Sequence, residues 1–185
     1  MRSDSHDTTV LIGPEVTRER VLAELPRHRI IHYAAHGDLT DASGEGVPGC
    51  VELAPSAEDR TWLHAHELMG LELNADLVVL SACSTGLGRE SADGTIGLSR
   101  ALLTAGAATV LVSLWKVDDR CTPLLMNSFY RHYLAHGDKA AALRLAMIEI
   151  RKFDADPRSW AGFTLIGERY DSEKEPSSTT CTPCW

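Results

Sequence analysis

Apolar residues along this chain fall into two kinds of run. Three runs are short and nearly continuous: "RIIHYAA" from Arg29, "LVVLSAC" from Leu77 to Cys83, and "TVLVSLW" from Thr109 to Trp115. Runs of this kind predict strands of a parallel sheet, buried on both faces. The others recur at helical spacing. "TRERVLAEL" offers Thr17 as an N-cap and sets Val21, Leu22 and Leu25 on one face, with Pro26 marking the exit. "DGTIGLSRALLTAG" places Ile96, Leu98, Leu102 and Leu103 at roughly helical spacing, with Gly106 as its C-terminal stop. Further helices are expected over 122–134 and 139–152, and "WAGFTLIG" (Trp160 to Gly167) is a candidate to return to the sheet. Strands alternating with helices predict an α/β fold with a mainly parallel sheet.

Polar stretches divide the rest. Residues 1–10 read as a polar leader, and 11–170 as the folded domain. The span 38–60 is rich in Gly, Ser, Asp and Pro and reads as a long surface loop, with only "GCVELAP" as a short strand or hairpin arm. From Asp171 to Trp185 the composition is too polar to form a core, which predicts a disordered tail.

Charge and composition narrow the function classes. The chain has 185 residues and a formal net charge of -8, with Lys and Arg scattered, which excludes a basic surface for nucleic acid. No apolar run approaches the roughly 20 residues of a membrane span. The start "MRSDSHDTT" lacks the apolar region of a signal peptide. Five cysteines, an odd number, speak for a reducing compartment and a cytoplasmic location rather than a disulfide framework.

In an open parallel sheet, ligands bind beyond the carboxyl ends of the strands. His36 and Gly37 follow the first apolar run, Cys83 ends the second, and Asp118 and Asp119 follow the third. A histidine and a cysteine on neighbouring strand ends suggest a thiol nucleophile with an imidazole partner, since the thiolate is the reactive form and a nearby imidazole lowers the thiol pKa. The amides of Gly37 and Cys83 are then candidates for holding an oxyanion. The plainer reading makes Cys83 a small buried residue and His36 a strand terminator. Ala-His-Gly also occurs at Ala135, His136 and Gly137, but there it follows a helical run, where Gly137 reads as a C-terminal stop and His136 sits at the negative end of the helix dipole.

Metal spacings fail on inspection. His32 and His36 lie on a strand, roughly 13 Å apart at about 3.3 Å per residue. His66 and Glu67 begin a zinc-protease pattern whose fifth position is Gly70. His132 and His136 share a helix face without acidic or Cys neighbours in sequence and read as solvated. Cys181 and Cys184 have no second pair, and Cys50 and Cys121 have no assigned partner. A different chemistry is open in "CSTGLGR", where Cys83 and Arg89 satisfy the Cys-x5-Arg loop of a phosphatase, although Glu90 would repel a phosphate dianion and Ala82 stands where a histidine usually precedes the cysteine.

"IIHYAAHG", "LVVLSACSTGLG", "LSRALLTAGAATVLVSLWKVDD" and "WAGFTLIG" resemble, in order, the successive motifs of CHAT domains, the caspase-like and separase-like cysteine peptidases. The likeness runs from about Leu11 to Gly167. It implies a three-layer αβα caspase-like fold and a Cys-His dyad of Cys83 and His36 that hydrolyses a peptide bond in a protein substrate, with no metal and no organic cofactor. The likeness to separases implies that Asp119, or else Asp118, reads a basic P1 side chain; the alternative is that these residues cap the next helix. Members of the family are often joined to helical repeats, which implies a helical-repeat or regulatory partner. A catalytically silent interaction module with the same fold is the alternative that intact Cys83 and His36 speak against.

Overall fold

The computed structural model describes residues 8–38, 49–55, 61–81, 92–115, 117 and 119–171. In chain order the elements are α1 (Arg18–Glu24), β1 (Ile30–Tyr33), β2 (Gly37–Asp38), β3 (Cys50–Glu52), β4 (Trp62–His64), α2 (Ala65–Leu68), β5 (Leu77–Leu80), α3 (Ala92–Thr104), β6 (Thr109–Ser113), α4 (Thr122–His136), α5 (Lys139–Phe153), α6 (Pro157–Trp160) and β7 (Phe163–Gly167). The three continuous apolar runs become adjacent strands of a four-stranded sheet ordered β1-β5-β6-β7, with β1, β5 and β6 parallel. β7 returns to this sheet antiparallel to β6. One crossover helix brings a chain back to the end where the previous strand began. The antiparallel pair α4 and α5 instead leaves it at the carboxyl end, so β7 runs the other way.

Alternation along β5 builds two cores. Leu77 and Val79 point to one side, where they pack with Leu111 and Phe163 against Leu125, Phe129, Leu143 and Ala146 of α4 and α5. Val78 and Leu80 point to the other, joining Val110, Val112 and residues of α1, α2 and α3 such as Val21, Leu68 and Leu102. All four β5 residues are buried, as a central strand with helices on both faces requires. This is the three-layer αβα arrangement. On edge strand β1, Ile31 and Tyr33 join the α3 side, which leaves Ile30 and His32 facing α4.

Within the expected surface loop over 38–60, "GCVELAP" forms the short strand β3. β3 pairs antiparallel with both β2 and β4 in a second, three-stranded sheet, and Cys50 and Val51 within β3 and Leu53 after it are buried. These strands have two or three residues each, too short for a period-two signal. Residues 39–48 and 56–60 lie outside the described residues. So does the predicted disordered tail from 172 onward, whereas Asp171 itself is fixed, accepting a hydrogen bond of 2.7 Å from the Tyr133 hydroxyl.

Candidate active site

β1, β5 and β6 open their carboxyl ends on one edge of the sheet because they are parallel. β1 pairs with β5 through Tyr33↔Leu80, and a further rung follows, with Ser81 N donating to Tyr33 O at 3.1 Å. Beyond it the first strand leaves the main sheet and enters the small one. His36 stands at this exit, exposed to solvent, and its carbonyl accepts from Glu52 N at 2.9 Å. That bond makes His36 and Glu52 a hydrogen-bonded pair of the β2–β3 ladder. Hydrogen-bonded and non-hydrogen-bonded pairs alternate in antiparallel ladders, so Gly37↔Val51 is of the second kind and the Gly37 N–H points away from β3. Gly37 is buried at this point. Cys83 lies outside the described residues, as do Arg89 and Glu90 of the Cys-x5-Arg pattern.

Immediately before the strand ends, three side chains meet that the sequence gave no reason to join. His32 Nε2 lies 2.9 Å from Ser81 Oγ, and His32 Nδ1 lies 3.0 Å from the Tyr130 hydroxyl of α4. The direction of the bonds follows from the Ser81 hydroxyl, which donates to Tyr33 O at 3.4 Å. Ser81 Oγ must then accept from Nε2–H, so Nδ1 is the unprotonated nitrogen and accepts from Tyr130. Desolvation lowers the His32 pKa and raises that of Tyr130, which favours the neutral form of each. The two rings are tilted at 35°, with centroids 5.7 Å apart. The only hint in the sequence was a polar residue inside each of two apolar runs.

After β6, Leu114 N donates to Gly162 O at 2.8 Å and the Trp115 indole donates to Arg158 O at 3.4 Å, which fixes the start of the third loop against α6. Asp119 is exposed in the turn that follows. It is not the cap of α4: the N-cap is Cys121, with no side-chain cap bond, so for Asp119 the capping alternative does not hold. Asp118 lies outside the described residues.

His132 and His136 take structural places in α4. His132 is not solvated as expected but half-buried, bonded to Glu149 Oε1 of α5 at 3.0 Å. His136 ends α4, and Gly137 follows at φ 71° with its N–H on Tyr133 O at 2.7 Å, the left-handed stop expected of that Ala-His-Gly copy. Glu67 pairs with Arg18 and accepts from His64 N at 3.0 Å, closing the first turn of α2. Among the described residues no group of three His, Cys, Asp or Glu side chains is placed to hold a metal ion, and no helix is long and apolar enough to cross a membrane.

A family model described as CHAT domain matches residues 2–168. Tetratricopeptide repeat protein 28 of Mus musculus is 32% identical over 190 residues, and that of Homo sapiens 31% over 190 residues. Each match covers 85% of this chain and 8% of the relative, so the chain spans less than a tenth of the length of these curated proteins.

Proposed function

The chain belongs to the CHAT domain family, and from that premise we propose that it is a cysteine endopeptidase with His36 and Cys83 as its dyad. The observation that carries this reading is the β1–β5 register. Parallel pairing runs through Tyr33↔Leu80, and His36 and Cys83 each stand three residues further on in the sequence. Two strands that share one edge therefore lead to an imidazole and a thiol at matching positions along the chain.

In this mechanism His36 takes the Cys83 proton, and the thiolate attacks the scissile carbonyl carbon. The tetrahedral oxyanion accepts from the Gly37 and Cys83 amides; the outward direction of the Gly37 N–H from the β2–β3 ladder supports that role. The C–N bond breaks as His36 returns its proton to the leaving amine. Water, deprotonated by His36, then attacks the thioester, and the carboxylic acid leaves with the thiol restored. Asp119, or else Asp118, pairs with a basic P1 side chain; the exposure of Asp119 away from the α4 cap favours it. No metal or organic cofactor enters these steps. A thiol nucleophile suits a reducing, cytoplasmic setting. The printed name of the relatives, a tetratricopeptide repeat protein, supports a helical-repeat segment or partner acting beside the protein substrate.

The test is a fluorogenic peptide panel varied at P1, run with the wild-type chain, Cys83→Ala and His36→Ala. Hydrolysis by the wild type should vanish in Cys83→Ala and fall about 10²-fold or more in His36→Ala. Activity that persists in Cys83→Ala overturns the mechanism, while a preference for acidic P1 overturns only the role of Asp119.

A further inference from the structure

The Tyr130–His32–Ser81 chain of hydrogen bonds occupies the last stretch of β1 and β5 before they part. His32 lies four residues before His36, and Ser81 two before Cys83. The bond at 2.9 Å between His32 and Ser81 is thus a side-chain cross-link, on the α4 face, between the two strand ends that lead to the proposed dyad. The backbone rung from Ser81 N to Tyr33 O reinforces the same point. The second bond of His32 reaches Tyr130, two turns into α4, the helix that follows the Asp119 turn. Every donor in the chain has an acceptor: Tyr130 O–H to Nδ1, Nε2–H to Ser81 Oγ, and Ser81 O–H to Tyr33 O. Few groups on an open edge strand are so fully specified, and neither sheet pairing nor core packing requires it, since Ile30 beside His32 is itself part-exposed.

We propose that His32 is a positioning residue. Through Ser81 and Tyr130 it fixes the separation of the β1 and β5 ends that lead to His36 and Cys83, and ties both to the helix after Asp119. The role rests on the peptidase reading for its consequence in catalysis, and on the β5 end that leads to Cys83 for its effect on the thiol. A shift of about 1 Å between nucleophile and base is enough to lose a large part of the rate.

The test uses the full chain with His32→Leu, His32→Gln and Tyr130→Phe. It combines kcat and KM on the best peptide, the pH dependence of Cys83 carbamidomethylation read at that residue by mass spectrometry, and the melting temperature. Wild-type Cys83 should titrate below the free-thiol value of about 8.5, and His32→Leu and Tyr130→Phe should move it toward that value. His32→Leu should lower kcat about tenfold with KM within about twofold, as expected of lost alignment rather than lost binding. His32→Gln places an amide N–H near the position of Nε2 and should keep kcat within about threefold of wild type. If His32→Leu and Tyr130→Phe keep both the wild-type kcat and the wild-type thiol titration, this inference is overturned and the peptidase stands. If no peptide is cleaved but the thiol titration is low and moves in the variants, the peptidase reading falls and the positioning role stands. An ordinary thiol titration in the wild type overturns the positioning role, and the peptidase with it if no peptide is cleaved.

Discussion

Lys139 is fully buried at the first turn of α5, and its ammonium is surrounded by acceptors: Tyr170 O at 3.0 Å, Glu168 O at 3.5 Å and the Asp171 carboxylate at 3.2 Å. Removing one member of such a set leaves polar groups buried without their partner. Lys139→Met should therefore cost about 3 kcal/mol, read as a lower urea midpoint with an unchanged slope. Its neighbour Asp138 works by a different balance. It caps α5 by accepting from Ala141 N at 2.9 Å, and it pairs with Arg169 at 2.6 Å. The hydrogen bonds from Arg169 lead the effects that hold its carboxyl below the ordinary range. A depressed folded pKa gives stability that is full above the unfolded value of about 3.9 and lost as the pH falls through the folded value. Asparagine keeps a capping oxygen but no charge. The stability difference between wild type and Asp138→Asn, followed by denaturant titration, should thus shrink as the pH falls below about 4. None of these pairings was legible in the sequence, where Lys139 was only a helix boundary and Asp138 only a polar residue after a glycine.

Helix ends were the most legible elements, because the chemistry that makes them is local. Thr17 accepts from Arg20 N as a cap should, and α4 stops where Gly137 turns left-handed. Gly106 is the sharper case. Its φ is +108°, and a Cβ there would stand 2.4 Å from Leu73 O, a backbone atom that cannot move aside. Gly106→Ala should destabilise the chain by roughly 3 kcal/mol, checked by thermal or chemical unfolding, with the junction of α3 and β6 the first region to lose amide protection. The small sheet was legible only in β3, from "GCVELAP"; β2 and β4 were not, for the opposite reason. A strand of two or three residues is defined by its partners, and β3 lies between strands on either side of it in sequence. Its Gly- and Asp-rich flanks described the turns around it and concealed the burial of Val51 and Leu53.

At the scale of the whole molecule, the parallel strands and their shared edge were legible from three apolar runs, and so was the position of His36 after the first of them. The cross-link beneath the site was not: its two bonds span 49 and 98 residues, and no local pattern reports such distances. The same global packing makes a further prediction. Cys50 and Cys121 are each only 2% exposed, one in β3 of the small sheet and one at the start of α4. With the other three cysteines replaced by serine, both thiols should resist aromatic disulfide reagents in buffer and react only at denaturant concentrations that unfold the chain. Early reaction of either would mark a local opening of that sheet or that helix. The strand order β1-β5-β6-β7 also follows the order of synthesis. On the ribosome each strand can dock onto the free edge left by the one before, so the sheet grows in one direction as the chain emerges. A nascent chain cut short before Phe163 would leave β6, four of whose five residues are buried in the finished sheet, as an unpaired template for other chains.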